Sequence, residues 1–173
     1  MSLIVSHLAN QTARCKLEQS KISNRGNLQI LCLNGPNLNK LGQRNPDLYG
    51  TVSLIEIESA LVNLGKQYSL DIFCFQSNTE GQLIDMIQEK APISHGIIIN
   101  AGALTHYGIS LRDALEDSSL PIVEVHLSNI YRREPWRSNS VIAPISVGQI
   151  CGLGWRGYLY ALQFLQFHLN KEN

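Results

Sequence analysis

Arg44 and Tyr49 stand five residues apart in a stretch, 33–50, that is rich in Gly, Pro and Asn. A tyrosine ordinarily ionises near pH ~10 and is a poor base at neutrality. A guanidinium beside a phenol stabilises the phenolate, and more so where water is excluded. Further along, Glu124 and His126 are spaced i, i+2 in an apolar run, so in a strand both point to one face. A glutamate that fixes an imidazole's tautomer and orientation prepares a general acid. Together the two pairs suit proton abstraction next to a carbonyl, with a tyrosine base, a histidine acid and no cofactor.

Each pair also has a plainer reading. Tyr49 can be a loop residue packed flat with Arg44 in solvent, and Glu124 with His126 a structural pair. A zinc site built from His106, His126 and Glu124 is the chemical rival, although no helical His spacing or metal signature accompanies it. Asn100, followed by the small residues Ala101, Gly102 and Ala103, offers a donor and an acceptor where a ligand can approach backbone, or simply forms a turn. Ser128 and Asn129 supply donors suited to a carboxylate. Arg133 and Arg137 flank Glu134-Pro-Trp136 and can hold a hydroxylated or carboxylated ligand, line a subunit contact or face solvent. Asp113 alone reads as part of a solvated helix face. The chain has no GxGxxG, Walker lysine loop or GxSxG elbow, so dinucleotide, NTP and hydrolase readings lack their residues.

The elements that must position these residues alternate. The run 28–33 is apolar and reads as a buried strand, and Ser53 with Glu56 has capping-box spacing before a helix carrying Leu54, Ile57, Leu61 and Leu64 on one face. Strand 70–75, helix 79–91 ended by Pro92, and the short apolar strand 96–100 follow. A helix around 109–116, a strand at 121–126, a short fifth strand at 140–143 and a last helix over about 157–169 complete the pattern. Such alternation implies right-handed crossovers and a doubly wound parallel sheet of about five strands, three-layer α/β/α, most simply flavodoxin-like. The carboxyl ends of strands one, three and four then converge on one crevice, bringing Asn34, Asn37, Asn100, Glu124, His126 and Ser128 together.

The 173 residues suit one catalytic domain over 27–173, preceded by an extension, 1–26, expected to be disordered. Net charge is zero and no basic run exceeds two residues, which argues against nucleic acid and anionic membrane as partners. No apolar run approaches the roughly 20 residues of a membrane span. The four cysteines have no CxxC spacing, and Cys32 and Cys74 fall within apolar strands, as in a reduced, cytoplasmic protein.

From about Leu28 to the last helix the chain closely resembles the type II 3-dehydroquinate dehydratases. The matching pieces are Leu33-Asn-Gly-Pro-Asn-Leu-Asn39, Leu41-Gly42, the segment from Arg44 to Gly50, Phe75-Gln-Ser-Asn78 with Glu80-Gly81, and Ile99-Asn-Ala-Gly102 with Thr105-His106. Leu111-Arg-Asp113, Glu124-Val-His-Leu-Ser-Asn129, Arg133-Glu-Pro-Trp-Arg137 and Gly152-Leu-Gly154 with Gly157-Tyr158 follow in order. The resemblance implies a flavodoxin-like fold and reversible dehydration of 3-dehydroquinate to 3-dehydroshikimate. The context is the shikimate pathway of aromatic amino acid synthesis, or quinate breakdown.

By the same resemblance Tyr49 is the base, Arg44 supports its phenolate, and Asn37 stabilises the enolate through an ordered water. His126 is the acid and Glu124 tunes it. Substrate contacts fall to Asn100, His106, Leu127, Ser128 and Arg137, with Arg133 in the same motif. Asp113 reaches the site from a neighbouring subunit of a homo-oligomer, a dodecamer of trimers. No metal, nucleotide or Schiff-base lysine is implied. The departures are Tyr107-Gly108, Thr79 and Tyr131-Arg132, none of them at a catalytic position.

Overall fold

The computed structural model describes residues 27–171, so the extension 1–26, including Cys15, lies outside the described residues. Five strands, β1 (Leu28–Asn34), β2 (Leu70–Gln76), β3 (Gly96–Asn100), β4 (Ile122–His126) and β5 (Gly148–Cys151), form one sheet. Their order is β2-β1-β3-β4-β5, and every neighbouring pair is parallel. The longer helices are α1 (Leu54–Gln67), α2 (Glu80–Lys90) and α3 (Ile109–Asp117) between strands, and α4 (Arg156–Lys171) after β5. This is the expected doubly wound, flavodoxin-like arrangement.

Strand alternation sorts the core into two halves. Ile30, Cys32, Ile98, Val123 and Val125 face Ile57 and Leu61 of α1 and Tyr158, Leu162 and Leu165 of α4. Leu31, Leu33, Ile97, Ile99 and Ile122 face Leu83 and Ile87 of α2 and Leu111 and Leu115 of α3. The central strands β3 and β4 are buried along their whole length, as a sheet covered on both faces requires. At the start of α1, Glu56 N–H donates to Ser53 Oγ at 3.3 Å and Ser53 N–H donates to Glu56 Oε2 at 2.8 Å, a closed capping box.

One strand differs from its expected position. Residues 140–143 do not pair in the sheet. Ser140 Oγ instead accepts the N–H groups of Ile142 and Ala143 at 3.1 and 2.9 Å, and a 3-10 turn follows at Ala143–Ile145. The apolar signal there comes from Ile142, which is buried in the core as part of a loop. The fifth strand is the half-exposed edge strand β5, which joins β4 in the register Val123↔Gly148 through His126↔Cys151. An edge strand carrying only a short apolar stretch gives little alternation to read.

Where β1 leaves the sheet, Gly35 donates its N–H to the Asn100 carbonyl at 2.8 Å, so the backbones after β1 and β3 touch. A Cβ on Gly35 would lie 2.3 Å from the Ala101 carbonyl oxygen. Gly35→Ala is therefore expected to force these two segments apart and to destabilise the fold by about 1–3 kcal/mol, the usual cost of overpacking. Chemical denaturation of the variant beside the parent measures this.

Candidate active site

The strand order reverses between β1 and β3, and a cleft of about 240 Å³ opens there at the carboxyl ends of β1, β3 and β4. Its floor is the end of β4. Glu124 is fully buried and His126 nearly so, at 0 % and 6 % exposure, and His126 Nε2 lies 2.9 Å from Glu124 Oε1. Burial alone would push the Glu124 carboxyl up. The hydrogen bond and charge of His126, with hydrogen bonds from Thr105 and Gln149, outweigh that and hold it below the usual carboxylate range.

Each of those donors comes from a different part of the chain. Thr105 Oγ1 donates to Glu124 Oε1 from the 3-10 turn Gly102–His106, and Gln149 Nε2 donates to Oε2 at 2.7 Å from β5. Ser140 Oγ lies 3.0 Å from both carboxylate oxygens. An ionised carboxylate only accepts, so His126 Nε2 carries a proton and Nδ1 is the ring nitrogen left for the cleft. Cys151 stands opposite His126 in the β4–β5 register. Burial, reinforced by the negative charge of Glu124, pushes its thiol up to about 11.

The other wall is the segment after β1. Asn45 precedes Pro46 at the first position of a single helical turn, Pro46–Tyr49, which swings Tyr49 to the cleft. Arg44 lies over the Tyr49 ring, with Cζ 4.9 Å from the centroid, and its Nη1 donates to the Asn37 carbonyl at 3.4 Å. The guanidinium that reaches the phenol oxygen belongs to Arg133, whose Nη1 donates to Tyr49 Oη at 3.2 Å and to Ser128 Oγ at 3.4 Å. Tyr49 thus has one arginine on its ring face and another at its oxygen.

Asn37 adopts a left-handed backbone, φ 67°, and its N–H donates to Asn78 Oδ1 at 2.8 Å. Gln76 Nε2 donates to the same oxygen at 3.1 Å and to the Gly35 carbonyl at 3.2 Å, pinning the loop after β1 to the end of β2. Asn34 is held from the α4 side, where the Tyr158 hydroxyl donates to its Oδ1 at 2.7 Å. Asn100 Oδ1 accepts the Gly102 N–H at 3.2 Å. His106 Nδ1 is 2.7 Å from the Asn139 carbonyl and its ring meets Trp136 edge-on at 5.0 Å. Arg137 stacks on Trp136, Cζ 4.1 Å from the ring centroid, and its Nε donates to Glu134 at 2.7 Å.

Asn37, Arg44, Tyr49, Asn100, His106, His126, Leu127, Ser128, Arg133 and Arg137 therefore line one cleft, with Glu124 directly beneath it. Among the described residues no carboxylate lines the cleft, whereas three arginines do, so it favours an anion. Asp113 is elsewhere, exposed on α3 and paired with Arg112 at 3.2 Å. Among the described residues, no group of three or more His, Cys, Asp or Glu side chains converges as a metal site.

Residues 28–166 match the Dehydroquinase class II family. The chain belongs to that family. The 3-dehydroquinate dehydratase of Roseiflexus castenholzii is 55 % identical over 138 residues, covering 80 % of this chain and 88 % of the relative. That of Ruegeria pomeroyi is 52 % identical over 143 residues, covering 83 % and 96 %. Among solved structures, the type II dehydroquinase of Butyrivibrio crossotus superposes with a TM-score of 0.79 at 41 % identity, covering 82 % of this chain and 99 % of that one. The type II dehydroquinase of Propionibacterium acnes gives 0.77 at 40 % identity, covering 80 % and 96 %. Class II dehydroquinase architecture thus accounts for the chain from β1 into α4.

Residue spacing alone did not point to Thr105, Ser140 or Gln149 as partners of Glu124. Thr105 precedes a histidine already of interest, but Ser140 and Gln149 come from segments whose roles in the sheet were exchanged. The signal for Gln149 is its register, since its Cα partner across β4–β5 is Glu124 itself.

The depressed carboxyl of Glu124 makes part of the stability of this class II dehydroquinase depend on pH. A group whose folded pKa lies below its unfolded value contributes stability above the unfolded value, which is about 4.3 for glutamate, and loses it as pH falls through the folded value. The unfolding free energy of the parent is therefore expected to fall more steeply on acidification below about pH 5 than that of Glu124→Gln. Urea unfolding of the two proteins across that range reads the difference.

Proposed function

We propose that this chain catalyses the reversible dehydration of 3-dehydroquinate to 3-dehydroshikimate, a reading supported by relatives named 3-dehydroquinate dehydratase. The carrying observation is the opposition of two prepared groups across one cleft. On one side is a tyrosine whose oxygen is met by Arg133 at 3.2 Å, and on the other a histidine held at 2.9 Å by a buried glutamate.

Tyr49, as phenolate, takes a proton from the carbon beside the ketone, and the electron pair of that C–H bond forms an enolate. Arg44 and Arg133 supply the positive charge that a phenolate needs, and Asn37 faces the enolate oxygen. The enolate then collapses to a carbon–carbon double bond, and the hydroxyl on the next carbon leaves with a proton from His126, as water in an anti elimination. Glu124 keeps the Nε2–H of His126 in place while Nδ1 gives up its proton. Asn100, His106 and Arg137 hold the substrate's hydroxyl groups, and Leu127 with Ser128 meets its carboxylate. The residues of the cleft account for every proton in this scheme, so it requires no cofactor or metal.

The shikimate pathway is the ordinary context for this reaction, with quinate breakdown as the alternative, and the cytoplasm its place. Cys32, Cys74 and Cys151 are free thiols, and no helix of the described residues is long and apolar enough to cross a membrane. Asp113 serves a neighbouring subunit in a homo-oligomer, a dodecamer built of trimers. Its position outside its own chain's cleft agrees with that. Sedimentation as a monomer at working concentration would refute the assembly.

The product is a conjugated enone-carboxylate, so turnover appears as rising ultraviolet absorbance on mixing protein with 3-dehydroquinate. Tyr49→Phe and His126→Asn are each expected to lower kcat by about 10²- to 10⁴-fold, the usual contribution of a positioned base or acid. An inactive parent would overturn the reaction, and a fully active Tyr49→Phe variant would assign the base elsewhere.

A further inference from the structure

The reaction scheme uses Glu124 but leaves the groups around it without a role, and among them Gln149 and Tyr131 form a connected path to the surface. Gln149 is the Cα partner of Glu124 in the parallel β4–β5 pair, so the two side chains leave the sheet on the same face. Its Nε2 donates to Glu124 Oε2 at 2.7 Å, and its Oε1 accepts from the Tyr131 hydroxyl at 2.8 Å. Tyr131 is 61 % exposed, on the 3-10 turn Ile130–Arg132 that follows β4. Asn129 shapes that turn, taking the Tyr131 N–H on Oδ1 at 3.1 Å. The chain that leaves His126 therefore bends back and fastens the residue lying beside Glu124.

The polarity of this path has one consistent solution. An ionised carboxylate accepts only, so the Gln149 amide must turn its NH2 toward Glu124 and its carbonyl outward. The outward carbonyl then needs a donor, and the Tyr131 hydroxyl is one. Removing that hydroxyl frees the amide to rotate, whereas removing the amide leaves Oε2 of a buried carboxylate one donor short. Oε1 of the same carboxylate holds His126 at 2.9 Å. Whatever sets the rotation of the Glu124 carboxylate therefore also sets the imidazole.

We propose that Gln149, oriented by Tyr131, is a positioning residue that fixes the Glu124 carboxylate and, through it, the ring of His126. The proposal rests on the acid role given to His126 above. Its reach extends to the surface through Tyr131, which stands on the turn directly after the strand that carries both Glu124 and His126. The other groups facing Glu124 are His126 on its own strand, Thr105 from the turn Gly102–His106, Ser140 from the segment before β5, and Cys151 on β5. Of these only His126 and Cys151 titrate, and among the described residues no lysine or arginine hydrogen-bonds to Glu124. Loss of the Gln149 donor consequently loosens the carboxylate and, through it, the hold on protonated His126, and the alkaline limb of the rate profile, where that acid is lost, moves to lower pH.

The test compares Gln149→Met and Tyr131→Phe with the parent. Gln149→Met is expected to lower kcat by roughly 10- to 100-fold, as for loss of a hydrogen bond to a charged group, with KM within about twofold. Its alkaline limb should lie at lower pH. Tyr131→Phe, a surface change that leaves packing intact, should shift kcat and the limb the same way by a smaller factor, about threefold. A merely structural role would lower the amount of folded enzyme without moving the limb.

Solid-state 15N spectra of histidine-labelled protein, with His126 assigned by its absence in His126→Asn, add a readout independent of turnover. Altered His126 nitrogen shifts in both variants support the coupling. Unchanged shifts, or kcat and alkaline limb equal to the parent's in both variants, overturn it. An inactive parent whose His126 shifts still respond to Gln149→Met would refute the dehydration and leave the coupling standing.

Discussion

Glu124 carries a carboxylate into an interior from which water is excluded, and such a charge persists only where fixed donors replace its hydration. Those donors are Thr105, Ser140, Gln149 and His126, drawn from the turn after β3, the segment before β5, β5 itself and β4. Because every one of them must reach the same two oxygens, the carboxylate dictates how these segments sit against one another. The floor of the cleft is thus defined by a solvation requirement as much as by apolar packing. A neutral side chain at 124 would relax that requirement and with it the geometry of the acid.

The opposite wall obeys a different rule. Tyr49 and Arg44 lie on a segment outside the sheet, attached by polar side chains at and beyond the ends of neighbouring strands. Asn78 and Gln76 grip the loop at Asn37 and Gly35, and Arg133 reaches across from the segment after β4 to the phenol oxygen. Base and acid therefore rest on supports of unequal stiffness. The acid stands on a buried strand, and the base on a single helical turn held by polar contacts at its edges.

The general plan was legible because its signals are physical and local. Apolar runs at 28–33 and 96–100, the Ser53–Glu56 cap and the helical face from Leu54 to Leu64 each express a constraint that acts within a few residues. The i, i+2 spacing of Glu124 and His126 was sufficient to place both on one face. Two features escaped for one reason, namely that they depend on register across the sheet. The edge strand β5 is half exposed and weakly patterned, so the apolar run at 140–143 carries the stronger strand signal. With that exchange went Gln149 and Ser140. The arginine at the phenol oxygen was likewise a long-range matter, since Arg133 is 84 residues from Tyr49 whereas Arg44 is only five away.

A cysteine flanking a histidine is in many settings a nucleophile, its thiolate drawn out by the imidazolium. Cys151 stands opposite His126 in the sheet, yet burial first, and then the charge of the carboxylate that serves the histidine, disarm it. With its thiol pushed up to about 11, it stays protonated at neutral pH. It neither competes with Glu124 for the imidazole proton nor offers a thiolate to peroxides or electrophiles. Burial, with the charge that orients the acid adding to it, keeps the neighbouring sulfur protonated, so the end of β5 carries a thiol opposite the histidine without acquiring a second chemistry.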